Sequence, residues 1–218
     1  MNKIEIVAQT KDFVKHALAH AEKGHDWFHT ERVYNNAMLI SQSENVDPFV
    51  VQLAALLHDI ADSKFHQGDE EIGPQKARNF LESISVDKEI ISHVENIIRY
   101  MSFKNSLDEQ SATFSSPELE VVRDADRLDA IGAIGISRTF HYGGFKNRPM
   151  YDPEIPPEEN LSKETYKKSD APTINHFYEK LLLLKDMMHT QTAQKIAKER
   201  HDFMLQFLEQ FYKEWNGD

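Results

Sequence analysis

Apolar residues recur along this chain at intervals of three and four, the spacing of one helix face, and no run of strict alternation marks a strand. Ile4, Val7, Val14, Leu18 and Ala21 predict a first helix, and Val33, Ala37 and Ile40 predict a second. Asp47-Pro48 reads as an N-cap followed by proline in the first turn, opening a third helix to about Ile60. That segment is apolar almost all round, through Phe49, Val50, Val51, Leu53, Ala54, Ala55, Leu56 and Leu57, which marks a central helix. Pro74 opens a short helix to about Ile84. Asp87 caps another, whose face is Ile90, Ile91, Val94, Ile97, Ile98 and Met101. Ser116-Pro117 repeats the cap-plus-proline pattern and opens a helix to about Ser137.

Between these runs, residues 102–116 are rich in Ser, Asn and Asp and read as a loop. Residues 138–172 hold Gly143-Gly144 and Pro149, Pro153, Pro156, Pro157 and Pro172, which predicts a long irregular excursion. Two further helices, at about 173–188 and 191–214, close the chain. The predicted fold class is therefore all-α. One domain over residues 1–218 is expected, with its core at about 20–137 and the C-terminal helices of about 173–214 packed on it.

Composition narrows the function. A chain of 218 residues with 40% hydrophobic residues is long enough to bury a substantial core. No apolar run approaches the ~20 residues of a membrane span, and Lys3 to Lys11 is too polar for a signal peptide, so no membrane partner and a cytoplasmic location are expected. The net charge of −11 repels a nucleic-acid backbone, so no nucleic-acid partner is expected. With no Cys, disulfides, thiol catalysis and thiolate-bound zinc are excluded, while eleven His remain as candidate ligands. Oligomeric state is not legible.

Three places put polar chemistry where a helix should be dry. Leu119, Val122, Asp126, Asp129 and Ala133 share a helix face, flanked by an apolar stripe of Ala125, Leu128 and Ile131. Asp126 then lies within or beside the core, where a carboxylate needs a cation. Arg123 or Arg127 is one candidate and a metal ion is the other. The apolar third helix ends in His58-Asp59, and His25-Asp26-Trp27-Phe28-His29 stands just ahead of the second helix. His29, His58, Asp59 and Asp126 together offer two imidazoles and two carboxylates. Such mixed N/O ligation suits Mn²⁺, Fe²⁺, Ni²⁺ or Zn²⁺ and leaves positions open for water and substrate.

The order His29 … His58-Asp59 … Asp126 resembles the H…HD…D signature of the HD-domain metal-dependent phosphohydrolases. The surrounding words are similar to the bacterial subfamily of that superfamily that includes nucleotide pyrophosphohydrolases. They are His25-Asp26-Trp27-Phe28-His29-Thr30-Glu31-Arg32-Val33, Leu56-Leu57-His58-Asp59-Ile60-Ala61-Asp62, and Asp124-Ala125-Asp126-Arg127-Leu128-Asp129-Ala130-Ile131-Gly132. The similarity continues through Asn175-His176-Phe177-Tyr178-Glu179-Lys180-Leu181-Leu182 and so covers most of the chain. The resemblance implies a helical HD-domain bundle with one divalent ion on the four motif residues, manganese first, with nickel, iron, zinc, cobalt or magnesium as alternatives. It implies hydrolysis of a small phosphorylated substrate, a nucleotide, with nucleoside triphosphates cleaved to monophosphate and pyrophosphate. A monophosphatase or phosphodiesterase on the same site is the enzymatic alternative, and a non-catalytic nucleotide-binding or signalling module is the alternative of another class.

Further residues take roles in that frame. Asp62, three residues past Asp59, is the candidate general acid/base by its offset in related hydrolases. Lys64, His66 and Lys104, in loops near the motifs, are candidates for holding a polyphosphate. His93 is expected to meet the metal or a phosphate, or else to be a core histidine. Asp129 is expected to orient a ligand or bind substrate, or else to pair with Arg127 or Arg123. His25 and Asp26 are candidates for fixing His29. Lys180 and Lys185 carry no assignment.

Overall fold

Helix caps account for where this chain turns. In the computed structural model, which describes residues 2–19, 26–61, 69, 71–101, 114–158 and 170–218, α1 (Lys3–Ala17) opens on a capping box. There the Asn2 side chain accepts from the Glu5 amide at 2.9 Å, while the Glu5 carboxylate accepts from the Asn2 amide at 3.1 Å. Asp26 caps α2 (Trp27–Ser41), Asp47 caps α3 (Pro48–Leu57), and Asp87 caps α5 (Lys88–Tyr100), each side chain accepting from an amide of the first turn. Between the last two lies α4 (Ile72–Ser83). The chain continues through α6 (Pro117–Asp129), α7 (Gly132–Phe145), α8 (Asn175–Glu179), a 3₁₀ stretch (Leu181–Met187) and α9 (Gln191–Asn216). Every regular element among the described residues is helical, and none is long and apolar enough to cross a membrane.

The chain divides into two compact units, Met1–Asp126 and Arg127–Asp218. In the first, α3 packs against α1, α2 and α5, and α4 packs on α5. Val51, Leu53, Ala54, Ala55 and Leu57 of α3 are wholly buried, as its all-round apolarity requires. Leu119, Val121, Val122 and Ala125 bury the face of α6 in this unit. Outside the core, α4 and α5 are clasped by ion pairs: Arg78 with Glu95, and Arg99 with Glu71 at 2.7 Å and Glu95 at 2.8 Å. In the second unit α7 packs on α9, and Phe140, Phe177, Phe207 and Phe211 stack into a continuous aromatic core.

Four boundaries differ from the sequence expectation. The third helix stops at Leu57 rather than near Ile60, with His58 as its C-cap, still helical in backbone, and Asp59 in the turn beyond. The single helix expected from Pro117 to about Ser137 is two. Ile131 is extended and Gly132 has φ +74°, a turn that ends α6 at Asp129 and removes Ala133 from the face of Asp126. The helix after that turn runs to Phe145, so the irregular excursion expected from residue 138 begins later. Gly143 does not break α7: a Cβ there would lie 2.2 Å from Thr173 Oγ1, so the glycine permits close packing. Finally, the helix expected at about 173–188 is split at Lys180, whose φ of −145° and ψ of −56° separate α8 from the 3₁₀ stretch.

Candidate metal centre

Each ligand candidate is set by a local device. The Asp26 carboxylate accepts from the His29 amide at 3.0 Å, so His29 sits inside the first turn of α2 rather than ahead of it. Its neighbour Thr30 is wholly buried, and His29 itself is 3% exposed. On α3, the apolar run carries the chain through the core and delivers His58 at the C-cap. The His58 ring places Nδ1 2.9 Å from the Ala55 carbonyl. A carbonyl only accepts, so Nδ1 carries the proton and Nε2 keeps its lone pair. Asp59 follows directly, and Asp126 comes from the last turn of α6, where Asn36 of α2 donates to the Ala125 carbonyl at 3.3 Å.

These devices bring four donor atoms together. His29 Nε2 lies 3.4 Å from His58 Nε2, 3.5 Å from Asp59 Oδ2 and 3.5 Å from Asp126 Oδ1, and His58 Nε2 is 3.6 Å from Asp59 Oδ2. Ligands about 2.1 Å from a common cation stand about 3.0–3.4 Å apart in octahedral or tetrahedral arrangements, so these spacings suit donors on one ion. His29, His58 and Asp126 each offer a ligand atom within 4.8 Å of the other two. The set is two neutral-capable nitrogens and two carboxylates, which fits a borderline divalent cation and formally balances its charge. The arrangement is also graded in exposure. The imidazoles are nearly sealed, while the Asp59 and Asp126 side chains are 26% and 43% exposed, so the carboxylate side faces the approach from solvent.

Of the two arginines expected as partners of Asp126, Arg123 donates to the Tyr100 carbonyl, and Arg127 to the Met187 carbonyl and toward His189 Nδ1 at 3.2 Å. Asp126 Oδ1 instead faces His29 Nε2 at 3.5 Å. The fully buried carboxylate of this segment is Asp124, with Asp126 at the edge of the core rather than within it.

Other sequence-predicted residues fall outside this cluster or outside the described residues. His93 Nε2 is 3.0 Å from Ser116 Oγ and 3.4 Å from Glu118 Oε2, at the opposite end of α6 from Asp126. Ten residues of helical rise put these ends on the order of 15 Å apart. Asp129 is buried and pairs with Arg138 in the second unit. Asp62, Lys64, His66, Lys104 and His25 lie outside the described residues. Sequence reasoning missed Asn36, which tethers α2 to the backbone of α6 beside Asp126. Its signal is a seven-residue spacing from His29, two turns along the same helix face.

With this geometry in hand, comparison with known proteins places the chain among relatives. The HD domain family model matches residues 27–131, a span that contains all four donors. The chain is 37% identical over 217 residues to YpgQ of Bacillus subtilis, covering 100% of this chain and 97% of that protein. An HD-superfamily hydrolase from Bacillus thuringiensis has a solved structure that is 45% identical, covers 100% of both chains and superposes with a TM-score of 0.79. The crystal structure of Bacillus subtilis YpgQ in complex with ADP is 36% identical, covers 98% of this chain and 97% of that one, and gives a TM-score of 0.77.

Proposed function

We propose, for a chain that belongs to the HD-domain family and is a metal-dependent hydrolase, that its substrates are nucleoside or deoxynucleoside triphosphates and its products a monophosphate and pyrophosphate. The observation that carries the reading is the grouping of His29, His58 and Asp126 ligand atoms within 4.8 Å of one another, with Asp59 Oδ2 3.5 Å from His29 Nε2 and 3.6 Å from His58 Nε2. The ADP complex of YpgQ supports a nucleotide as ligand. Manganese is the proposed cation.

A divalent cation held there supplies Lewis acidity to a phosphoryl oxygen and to a water, which is the chemistry a polyanionic substrate requires. The chain's own contribution is to hold the two imidazoles, with the Ala55 carbonyl setting the tautomer and orientation of His58 and the Asp26 cap setting the backbone of His29. Attack of the water oxygen on the α-phosphorus forms one P–O bond and breaks the bond to the bridging oxygen, which leaves with pyrophosphate. The water's proton passes to a carboxylate base, for which Asp62 is the candidate. Lys64, His66 and Lys104 remain the candidates for holding the leaving phosphates.

The experiment is a panel of ribonucleoside and deoxynucleoside triphosphates and monophosphates with Mn²⁺, with pyrophosphate and orthophosphate detected separately. Pyrophosphate release from triphosphates, abolished by chelation and by Asp126→Ala, is the expected result. Orthophosphate from monophosphates alone would transfer the assignment to a monoesterase, and no turnover of any phosphate ester would reduce the chain to a binding module.

A further inference from the structure

A half-buried amide interrupts the core-facing stripe of α2. That stripe carries His29, Val33, Ala37 and Ile40, of which the last three are wholly buried and His29 is 3% exposed. Asn36 falls on the same side of the helix, seven residues and two turns beyond His29. An apolar side chain would complete that face without any polar group to satisfy, so an amide there calls for a partner. One partner is the backbone of α6: Asn36 Nδ2 donates to the Ala125 carbonyl at 3.3 Å.

The identity of the acceptor matters. The Ala125 carbonyl belongs to the peptide group that includes the nitrogen and Cα of Asp126, and those atoms are coplanar. No freely rotating bond lies between the held oxygen and the Asp126 Cα. A hydrogen bond to that oxygen therefore fixes where the Asp126 side chain starts, and the helical backbone of α6 sets the direction in which it leaves. Enclosure cannot place the carboxylate, because the Asp126 side chain is 43% exposed while the His29 ring is sealed in the core. Its position has to come from the backbone that bears it. One rigid helix holds His29 at one end of a rise of about 10.5 Å and, through Asn36, the root of Asp126 at the other. Asp126 Oδ1 then meets His29 Nε2 at 3.5 Å.

We propose that Asn36 is a positioning residue for Asp126: it holds no metal itself, and it sets the distance from the Asp126 carboxylate to the two imidazoles. The inference rests on the reading of His29, His58, Asp59 and Asp126 as ligands of one cation. It adds the group that keeps the last of these ligands in register with the first.

The test uses the full chain and three measurements. Mn²⁺ binding is followed by calorimetry, and Co²⁺ binding by visible absorption, which depends on the number and arrangement of the ligands. Thermal unfolding of the metal-free protein is the third. Asn36→Leu suits an apolar stripe and cannot donate. It is expected to melt within a few degrees of wild type, to bind Mn²⁺ about tenfold more weakly, and to give an altered Co²⁺ spectrum. Asn35→Leu, at the exposed neighbouring position, should match wild type in both metal measurements. A purely structural role would lower the melting temperature and leave the Co²⁺ spectrum of the folded protein unchanged. Wild-type Mn²⁺ affinity and Co²⁺ spectrum in Asn36→Leu, or an equal loss in Asn35→Leu, would overturn the proposal. Should Asn36→Leu not fold, Asn36→Ala is read by the same signals and the same outcomes decide. Wild-type protein that took up neither ion would overturn the metal centre, and the role of Asn36 with it; a variant matching a metal-binding wild type overturns the role of Asn36 alone.

Discussion

Asp26 offers the sharpest test of how the fold prepares its candidate metal ligands. Its carboxylate accepts from the His29 amide at 3.0 Å, so one side chain both caps α2 and fixes the residue whose Nε2 lies within 3.5 Å of the other donors. Replacing it with Ala removes an N-cap, a loss of about 1 kcal/mol, and lowers Tm by roughly 2–4 °C for a chain of this size. The first turn then frays at the position that presents His29. Loss of a group that orients a ligand typically costs about 10–100-fold in metal affinity, or about 1.4–2.7 kcal/mol. Asn caps as well as Asp, so Asp26→Asn separates geometry from charge and should retain most of the affinity. Calorimetric titration of Mn²⁺ into wild type, Asp26→Ala and Asp26→Asn, with thermal melts alongside, makes the comparison. If Asp26→Ala bound Mn²⁺ within a factor of two of wild type while its melt fell as expected, capping and ligand placement would be independent and the reasoning would fail.

Three further outcomes follow from the packing. Leu57 is wholly buried one residue before His58, so Leu57→Ala should cost about 2–5 kcal/mol in denaturant unfolding, and a loss under 1 kcal/mol would contradict the central place of α3. Gly143→Ala should destabilise by about 1–3 kcal/mol because its Cβ would meet Thr173 Oγ1 at 2.2 Å, and Thr173→Ala in the same chain should recover part of that loss in a double-mutant cycle; strict additivity would refute the contact. His176 is held at about 4 against 6.5 in the unfolded chain, so the unfolded chain binds a proton between those values that the folded chain does not. Its neutral form therefore costs nothing above pH 6.5, and stability falls by about 3 kcal/mol as pH drops from 6.5 toward 4. His176→Gln should flatten that part of the stability profile, and an unchanged slope would show that His176 titrates as it does when unfolded.

Much of the first unit was legible because its signals are local and redundant. Asp47-Pro48 and Asp87 are caps whose side chains bond the next turn wherever the rest of the chain goes, and α3 is apolar on every face. The candidate cluster stood out for a related reason: His29, His58, Asp59 and Asp126 are polar groups at places where the surrounding pattern demands burial or a helix end. Less legible were features fixed by distant partners. Apolar spacing continues past Asp129 through Ile131 and Ile134, and only the positive φ of Gly132, packed against the Arg200 side chain, reveals the break. Gly143-Gly144 reads as a loop signal until Thr173 is seen to need the space. His93 has the right periodicity for a core-facing ligand, yet its partners Ser116 and Glu118 come from the far end of α6, a distance no spacing encodes.

The claim on which the functional account rests is that His29, His58, Asp59 and Asp126 hold one cation. Anomalous diffraction from crystals grown with Mn²⁺ tests it without reference to turnover. The account predicts a single strong peak about 2.0–2.2 Å from His29 Nε2, His58 Nε2 and one oxygen each of Asp59 and Asp126, absent in Asp126→Ala. A peak elsewhere, or none at saturating Mn²⁺ while His29 Nε2 keeps its 3.4–3.5 Å distances to the other three donors, would contradict it.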